Sequence, residues 1–233
     1  MGTARTDLHL HEQVLLLALR DEKGTVESRA GWYSLALGGA ILSELLLAGS
    51  IEIADDKNKL VSVVEPRGLG DPILDECLER IGTARRRRSA SDWIRSFAGI
   101  KRLRHRVAEG LCRRRILKDS EDKVLLLFTR KIYPTIDPAP ERRLREQLRR
   151  AIFQDSRTVN PRVTILVALA HATGLLRAHF DARDLKRRKH RLDRIAKGDL
   201  AGGATRAAVE AAQAVAVMTA IIASSVVTTT AVH

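Results

Sequence analysis

Residues 159–180 read VNPRVTILVALAHATGLLRAHF. Pro161 suits the first turn of a helix, where its missing N–H has no partner to lose. From Val163 to Leu176 the segment is apolar nearly all round. Such a helix has no face to offer water, so it belongs in the centre of a fold. It needs covering helices, and the chain supplies them. Leu8–Leu19 (LHLHEQVLLLAL) and Trp32–Leu47 (WYSLALGGAILSELLL) carry apolar residues at helical spacing. Asp71–Ile81 (DPILDECLERI) opens with a capping Asp and a first-turn Pro. Ser91 opens SDWIRSF, Glu141–Phe153 is strongly amphipathic, and residues 182–198 (ARDLKRRKHRLDRIAKG) are basic and amphipathic. The expectation is a mainly α fold: a single globular helical domain over residues 1–233 with a buried central helix.

Two β-hairpins decorate it. IEIA and KLVSVV flank DDKN at 51–64, and ILKDSEDKVLLLF at 116–128 reads as strand, turn, strand. Within the second helix, Gly38 and Gly39 lower helix propensity but permit close approach of another backbone. Gly49 is read as its C-terminal cap. Residues 211–232 carry no charge and are long enough to span a bilayer. They are rich in Ala, Ser and Thr, with no Leu or Phe, so a buried helix is expected over a membrane anchor. The N-terminus has no long apolar run, so no secretory signal is expected. Gly2 followed by Thr6 loosely fits a myristoylation pattern.

Aromatic residues make up 3% of the 233-residue chain, so a core of Leu, Ile, Val and Ala is expected. The net charge of +13 favours polyanionic partners. Cys77 and Cys112 form no CxxC pair, which excludes a disulfide framework or zinc site as a first reading.

No stretch demands catalysis. LGGAILSE lacks the Lys of a phosphate-binding loop. His9 and His11 lie two apart, so a helix would point them in different directions. His171 is read as a core imidazole bonded to a backbone carbonyl. Both cysteines read as small core residues. No enzyme, metal site or cofactor is expected.

The charge is unevenly spread. Between Arg80 and Lys118 there are fourteen Lys or Arg against only Asp92 and Glu109. Residues 100–118 (IKRLRHRVAEGLCRRRILK) read as a helix with Ile100, Leu103, Val107 and Leu111 on its buried stripe. Lys101 and Arg104 would then share a flank, with Arg102 beside them. Before it, residues 82–91 with Arg85, Arg86, Arg87 and Arg88 read as a mobile basic loop. Surfaces that are merely solvated mix signs, so this field has a partner. Trp32 and Trp93 suit a lipid interface, being apolar with one polar N–H. The alternative partner is nucleic acid, since a helix followed by a hairpin resembles a winged helix. The first such helix has no outer polar face to read bases.

The order of LHLHEQVLLLALRDEKG, ALGGAILSELLLAGSIEI, DPILDECLERI, WI, RVAEGLCRRRIL and LVALAHATGLL along nearly the whole chain resembles the Golgi phosphoprotein 3-like family. That resemblance implies an α-helical, non-enzymatic peripheral membrane protein that binds phosphatidylinositol 4-phosphate on the cytosolic face of the Golgi. It implies a trafficking adaptor for cytosolic tails of membrane proteins, cytoplasmic and peripherally membrane-associated. The family's headgroup residues match Trp32, Lys101 and Arg104, with Arg85, Arg86, Arg87, Arg88 and Arg102 as supporting charge. The family's remaining headgroup Arg falls on Gly38, which removes a charge-assisted contact of about 1.5–3 kcal/mol. Generic anionic-phospholipid binding survives that loss. The hairpin over 124–134 matches a self-association region, implying a homo-oligomer. The departures mark a distant relative; in a bacterial one, with no Golgi, the sorting role would not carry over.

Overall fold

The computed structural model describes residues 8–19, 24–25, 32–124, 128–200, 212 and 214–223. The myristoylation pattern at Gly2 and the C-terminal residues beyond 223 lie outside these. The architecture is mainly α with two antiparallel hairpins. In chain order come α1 (Leu10–Ala18), α2 (Tyr33–Leu47), β1 (Ile51–Ile53), β2 (Val61–Val63), α3 (Pro72–Gly82), α4 (Ala90–Ala98) and α5 (Leu103–Arg113). There follow β3 (Ser120–Val124), β4 (Phe128–Ile132), α6 (Ala139–Phe153), α7 (Pro161–Ala172), α8 (Leu176–His179), α9 (Ala182–Arg187) and α10 (Lys189–Lys197). Residues 214–223 form a further helix, α11.

The centre is shared by two helices. α7 buries Thr164 to Ala170 and packs against α1, α2, α6, α8 and α10. α2 buries Leu35 to Leu46 and packs against α1, α3, α4 and α7. The expected central helix over 161–180 is interrupted after Ala172, where Gly174 takes φ +80° and turns the chain into α8. α2 ends in a paired hydrogen-bond motif. Ser50 N–H donates to the Leu45 carbonyl and Gly49 N–H to that of Leu46, with Gly49 at φ +72°. Polar caps start four helices among the described residues: Asp71 accepts from Ile73 and Leu74, Ser89 from Asp92, Asn160 from Arg162, and Asp181 from Arg183 and Asp184. Each contributes about 1 kcal/mol.

The glycine pair does bring backbones together. A Cβ on Gly38 would collide with the Ile94 carbonyl oxygen and stand 3.0 Å from the Ala98 amide nitrogen. A Cβ on Gly39 would lie 2.6 Å from Thr219 Oγ1 and 2.8 Å from Leu169 Cδ2. The first glycine admits α4, the second α7 and α11. α11 is thereby a core helix: Val215, Ala216, Thr219, Ile222 and Ala223 are buried. Among the described residues, no helix is long and apolar enough to cross a membrane.

Three local expectations are corrected. Residues 100–118 are not one helix. Arg102 sits at φ +58°, and α5 begins only at Leu103, so Lys101 belongs to the turn between α4 and α5. In the second hairpin, the DSED segment is strand rather than turn. Ser120 pairs with Ile132 and Asp122 with Arg130, and the connection at 125–127 lies outside the described residues. Cross-strand charge explains the exchange: Asp122 meets Arg130 at 2.6 Å and Asp119 meets Lys131 at 3.0 Å. The segment 182–198 is broken at Arg188, whose guanidinium is held by Asp155 and by the Phe153 carbonyl.

Candidate functional site

The basic field is built on α4, the turn after it, and α5. The arginine-rich loop is hydrogen-bonded to the first hairpin at its C-terminal end. Val61 N–H donates to the Arg88 carbonyl and Ala90 N–H to that of Lys59, so this end lies along β2. Ser89 then caps α4, accepting from Asp92 N–H and donating to the Asp92 carboxylate at 2.7 Å. The Arg88 guanidinium lies over the Trp93 ring, 4.7 Å from its centroid. Arg85, Arg86 and Arg87 remain exposed.

Trp93 is no interface residue. It is 3% exposed and stacks near Phe97 inside the core. Both aromatics of this amphipathic helix, Trp93 and Phe97, were drawn inward because α4 lies on α2.

At the other end of α4, Arg102 adopts the left-handed conformation, which costs a non-glycine residue about 1–2 kcal/mol. The turn it makes presents Lys101, Arg102 and Arg104 together. Their electrostatics differ. Arg102 reaches Glu109 at 3.9 Å. Arg106, further along α5, is bound to Glu76. Lys101 and Arg104 have no carboxylate within ion-pair distance among the described residues. Arg104 is nonetheless oriented: it donates to His105 Nε2 at 3.2 Å, and His105 Nδ1 lies 2.8 Å from the Tyr133 hydroxyl. Burial, with Arg104 and Arg102 adjoining, lowers the His105 pKa, leaving a neutral ring able to accept from Arg104. Burial pushes the Tyr133 hydroxyl up to about 12. The result is two uncompensated cations, one exposed and one braced.

The residues named from the sequence are not all neighbours. Lys101, Arg102 and Arg104 cluster at the α4–α5 turn. The Arg85–Arg88 segment sits at the far end of α4, about 14 Å away along a nine-residue helix. Trp32 caps the N-terminus of α2, half-buried against the core. It lines a cleft whose other walls are the α7–α8 turn, α8, α9 and Lys189; neither Lys101 nor Arg104 lines that cleft. Gly38 is pressed on α4.

A second polar cluster escaped the sequence reading. His9 precedes α1 in extended conformation, so its ring stacks on that of His11 rather than pointing away, with centroids 5.6 Å apart. His9 Nδ1 lies 3.3 Å from Glu44, which also receives both Arg162 N–H groups and Leu10 N–H. Burial would raise the Glu44 carboxyl, but the hydrogen bonds from His9 and Arg162 outweigh it and hold it at about 2. His11 faces Asp71 at 3.6 Å, and Arg114 meets Glu12 at 2.8 Å. The available signal was Glu44 itself, a lone acid inside an apolar helix that must find a partner. Among the described residues, no group of three or more His, Cys, Asp or Glu is arranged to hold a metal. Cys77 is buried, which pushes its thiol up to about 12 and leaves it unreactive.

His171 corrects another expectation. It is exposed at the end of α7 and lines the Trp32 cleft. The imidazole bonded to a backbone carbonyl is that of His179, on Leu17 at 2.7 Å.

Comparison with known proteins accords with this architecture. The Golgi phosphoprotein 3 (GPP34) family model matches residues 10–212. Vacuolar protein sorting-associated protein 74 of Schizosaccharomyces pombe is 31% identical over 149 residues, which is 56% of this chain and 44% of that protein. The match therefore spans less than half the length of that relative. With α1 to α10 all inside the matched range, the chain belongs to the Golgi phosphoprotein 3 (GPP34) family.

Proposed function

We propose that the protein is a non-catalytic peripheral membrane protein that binds anionic phospholipid headgroups, phosphatidylinositol 4-phosphate foremost, as a membrane-trafficking adaptor. The observation that carries this reading is the pair Lys101 and Arg104. Among the described residues they are cations without carboxylate partners, displayed on and just after a strained turn in a member of this family. A phosphate monoester approaching that turn would meet one freely moving ammonium and one guanidinium held by His105. Charge-assisted contacts of that kind are about twice as strong as neutral ones. Trp32, which lines a cleft of its own, adds an apolar element elsewhere on the membrane-facing surface, and Arg85 to Arg88 add long-range attraction. The whole chain acts as one domain, peripheral on the cytosolic face of the membrane. Cytosolic tails of membrane proteins are its cargo, and the 124–134 hairpin is its self-association element.

Co-sedimentation with liposomes at physiological salt tests this. Three vesicle types are compared: neutral, containing phosphatidylinositol 4-phosphate, and matched in charge with simpler anionic lipids. Preference for the phosphoinositide at equal charge supports a headgroup pocket without the third Arg. Equal binding to both anionic types reduces the reading to electrostatic membrane attachment. Absence of binding to either sinks it and leaves nucleic acid, tested by duplex shift, as the partner of the basic field.

A further inference from the structure

The cleft beside Trp32 is chemically unlike the rest of the basic surface. It measures about 670 Å³, within the range of about 300–1,000 Å³ typical of small-molecule sites. Its lining divides in two. Trp32, Ala172, Leu176, Ala182, Leu185 and Ala223 supply apolar surface. Arg177, Lys186 and Lys189 supply three cations, and no carboxylate lines it among the described residues. Lys189 shares an exposed ion pair with Asp193 at 3.2 Å, which contributes little in water. Arg177 and Lys186 have no ion-pair partner among the described residues. Two polar side chains complete the wall. His171 is exposed at the mouth of the cleft. Thr173 donates to the Leu169 carbonyl at 2.7 Å, leaving its oxygen only acceptor capacity.

A surface that binds only a phosphate has no use for a tryptophan plate and buried leucines. A purely apolar groove would not gather three cations. We propose that this cleft is a binding site for a single-chain anionic amphiphile. Its phosphate or carboxylate head would lie on Arg177, Lys186 and Lys189, and its alkyl chain along Trp32, Leu176 and Leu185. The volume suits one chain rather than a whole diacyl phospholipid. The site goes beyond the headgroup reading, sharing Trp32 with it but neither Lys101 nor Arg104.

The test titrates the full chain with dodecyl phosphate below its micelle concentration, by calorimetry and by tryptophan emission. The expected result is saturable one-to-one binding, at least about ten-fold tighter than inorganic phosphate or dodecylphosphocholine. Trp93 is buried, so the emission change should come from Trp32 and vanish in Trp32→Phe. The exposed pair Arg177→Glu with Lys186→Glu should weaken binding at least about ten-fold. Equal affinity for inorganic phosphate would mean a bare cation cluster and overturn the proposal. So would equal affinity for dodecylphosphocholine, no saturable binding, or indifference to the Arg177 and Lys186 changes. Because the headgroup reading is tested on vesicles with the Lys101 and Arg104 variant, either can fail alone.

Discussion

Gly38 of α2 faces the backbone carbonyl of Ile94 so closely that no side chain fits between them. The close approach of α4 therefore holds this position to glycine.

The first prediction follows. Gly38→Ala forces a Cβ against backbone that cannot swing aside, and overpacking of this kind costs about 1–3 kcal/mol. Gly38→Arg should destabilise further without strengthening vesicle binding. Thermal denaturation alongside liposome co-sedimentation checks both. A Gly38→Arg protein that melts normally and binds phosphoinositide more tightly would refute the packing argument.

Lys101→Ala with Arg104→Ala should weaken binding to anionic vesicles by about 2 kcal/mol, at about 1 kcal/mol per basic residue near the leaflet. Stability should change by less than about 1 kcal/mol, because neither side chain is buried in the core. An unchanged vesicle affinity would show the charge there to be diffuse.

Removing the Glu44 carboxylate leaves His9 and Arg162 facing an empty position. Breaking a buried pair costs about 3–5 kcal/mol. Arg162 is 38% exposed, so water recovers part of this, and about 2–3 kcal/mol is expected for Glu44→Ala by chemical denaturation. A loss below 1 kcal/mol would mean that the cluster is solvated rather than structural.

The same cluster makes stability depend on pH. The hydrogen bond to Glu44 raises the His9 pKa above its ordinary 6.5. Its contribution is complete below that value and disappears as pH rises through the folded one. Glu44 is lowered from 4.5 to about 2, so its contribution is complete above 4.5 and disappears as pH falls toward 2. Both are present between pH 4.5 and 6.5. The melting-temperature gap between the wild-type protein and His9→Gln should be widest in that window and close on the alkaline side. A gap that stays constant with pH would show that His9 acts by packing alone.

Much of the fold was legible along the chain because local signals and burial agreed. The apolar runs of α2 and α7, the cap Asp71, the helix-starting Pro161, the Gly38-Gly39 approach and the neutral, small-residue α11 each follow from periodicity, cap chemistry or side-chain size. The Lys101–Arg104 pair was also visible in the sequence, as a cluster of charge and by resemblance to the family.

What the sequence by itself determined is thus the set of elements, the apolar faces that must be buried and the sign of the surface field. Only the tertiary structure decided which charges are compensated and which way ambiguous residues face. Trp93 turned inward because α2 lies across α4, and His171 outward because α7 ends at a cleft. Arg106 and Arg114 were neutralised by Glu76 and Glu12, which stand 30 and 102 residues away. Periodicity reports on one helix at a time, whereas ion pairs, close backbone approach and clefts belong to pairs of elements that meet only when the chain has folded.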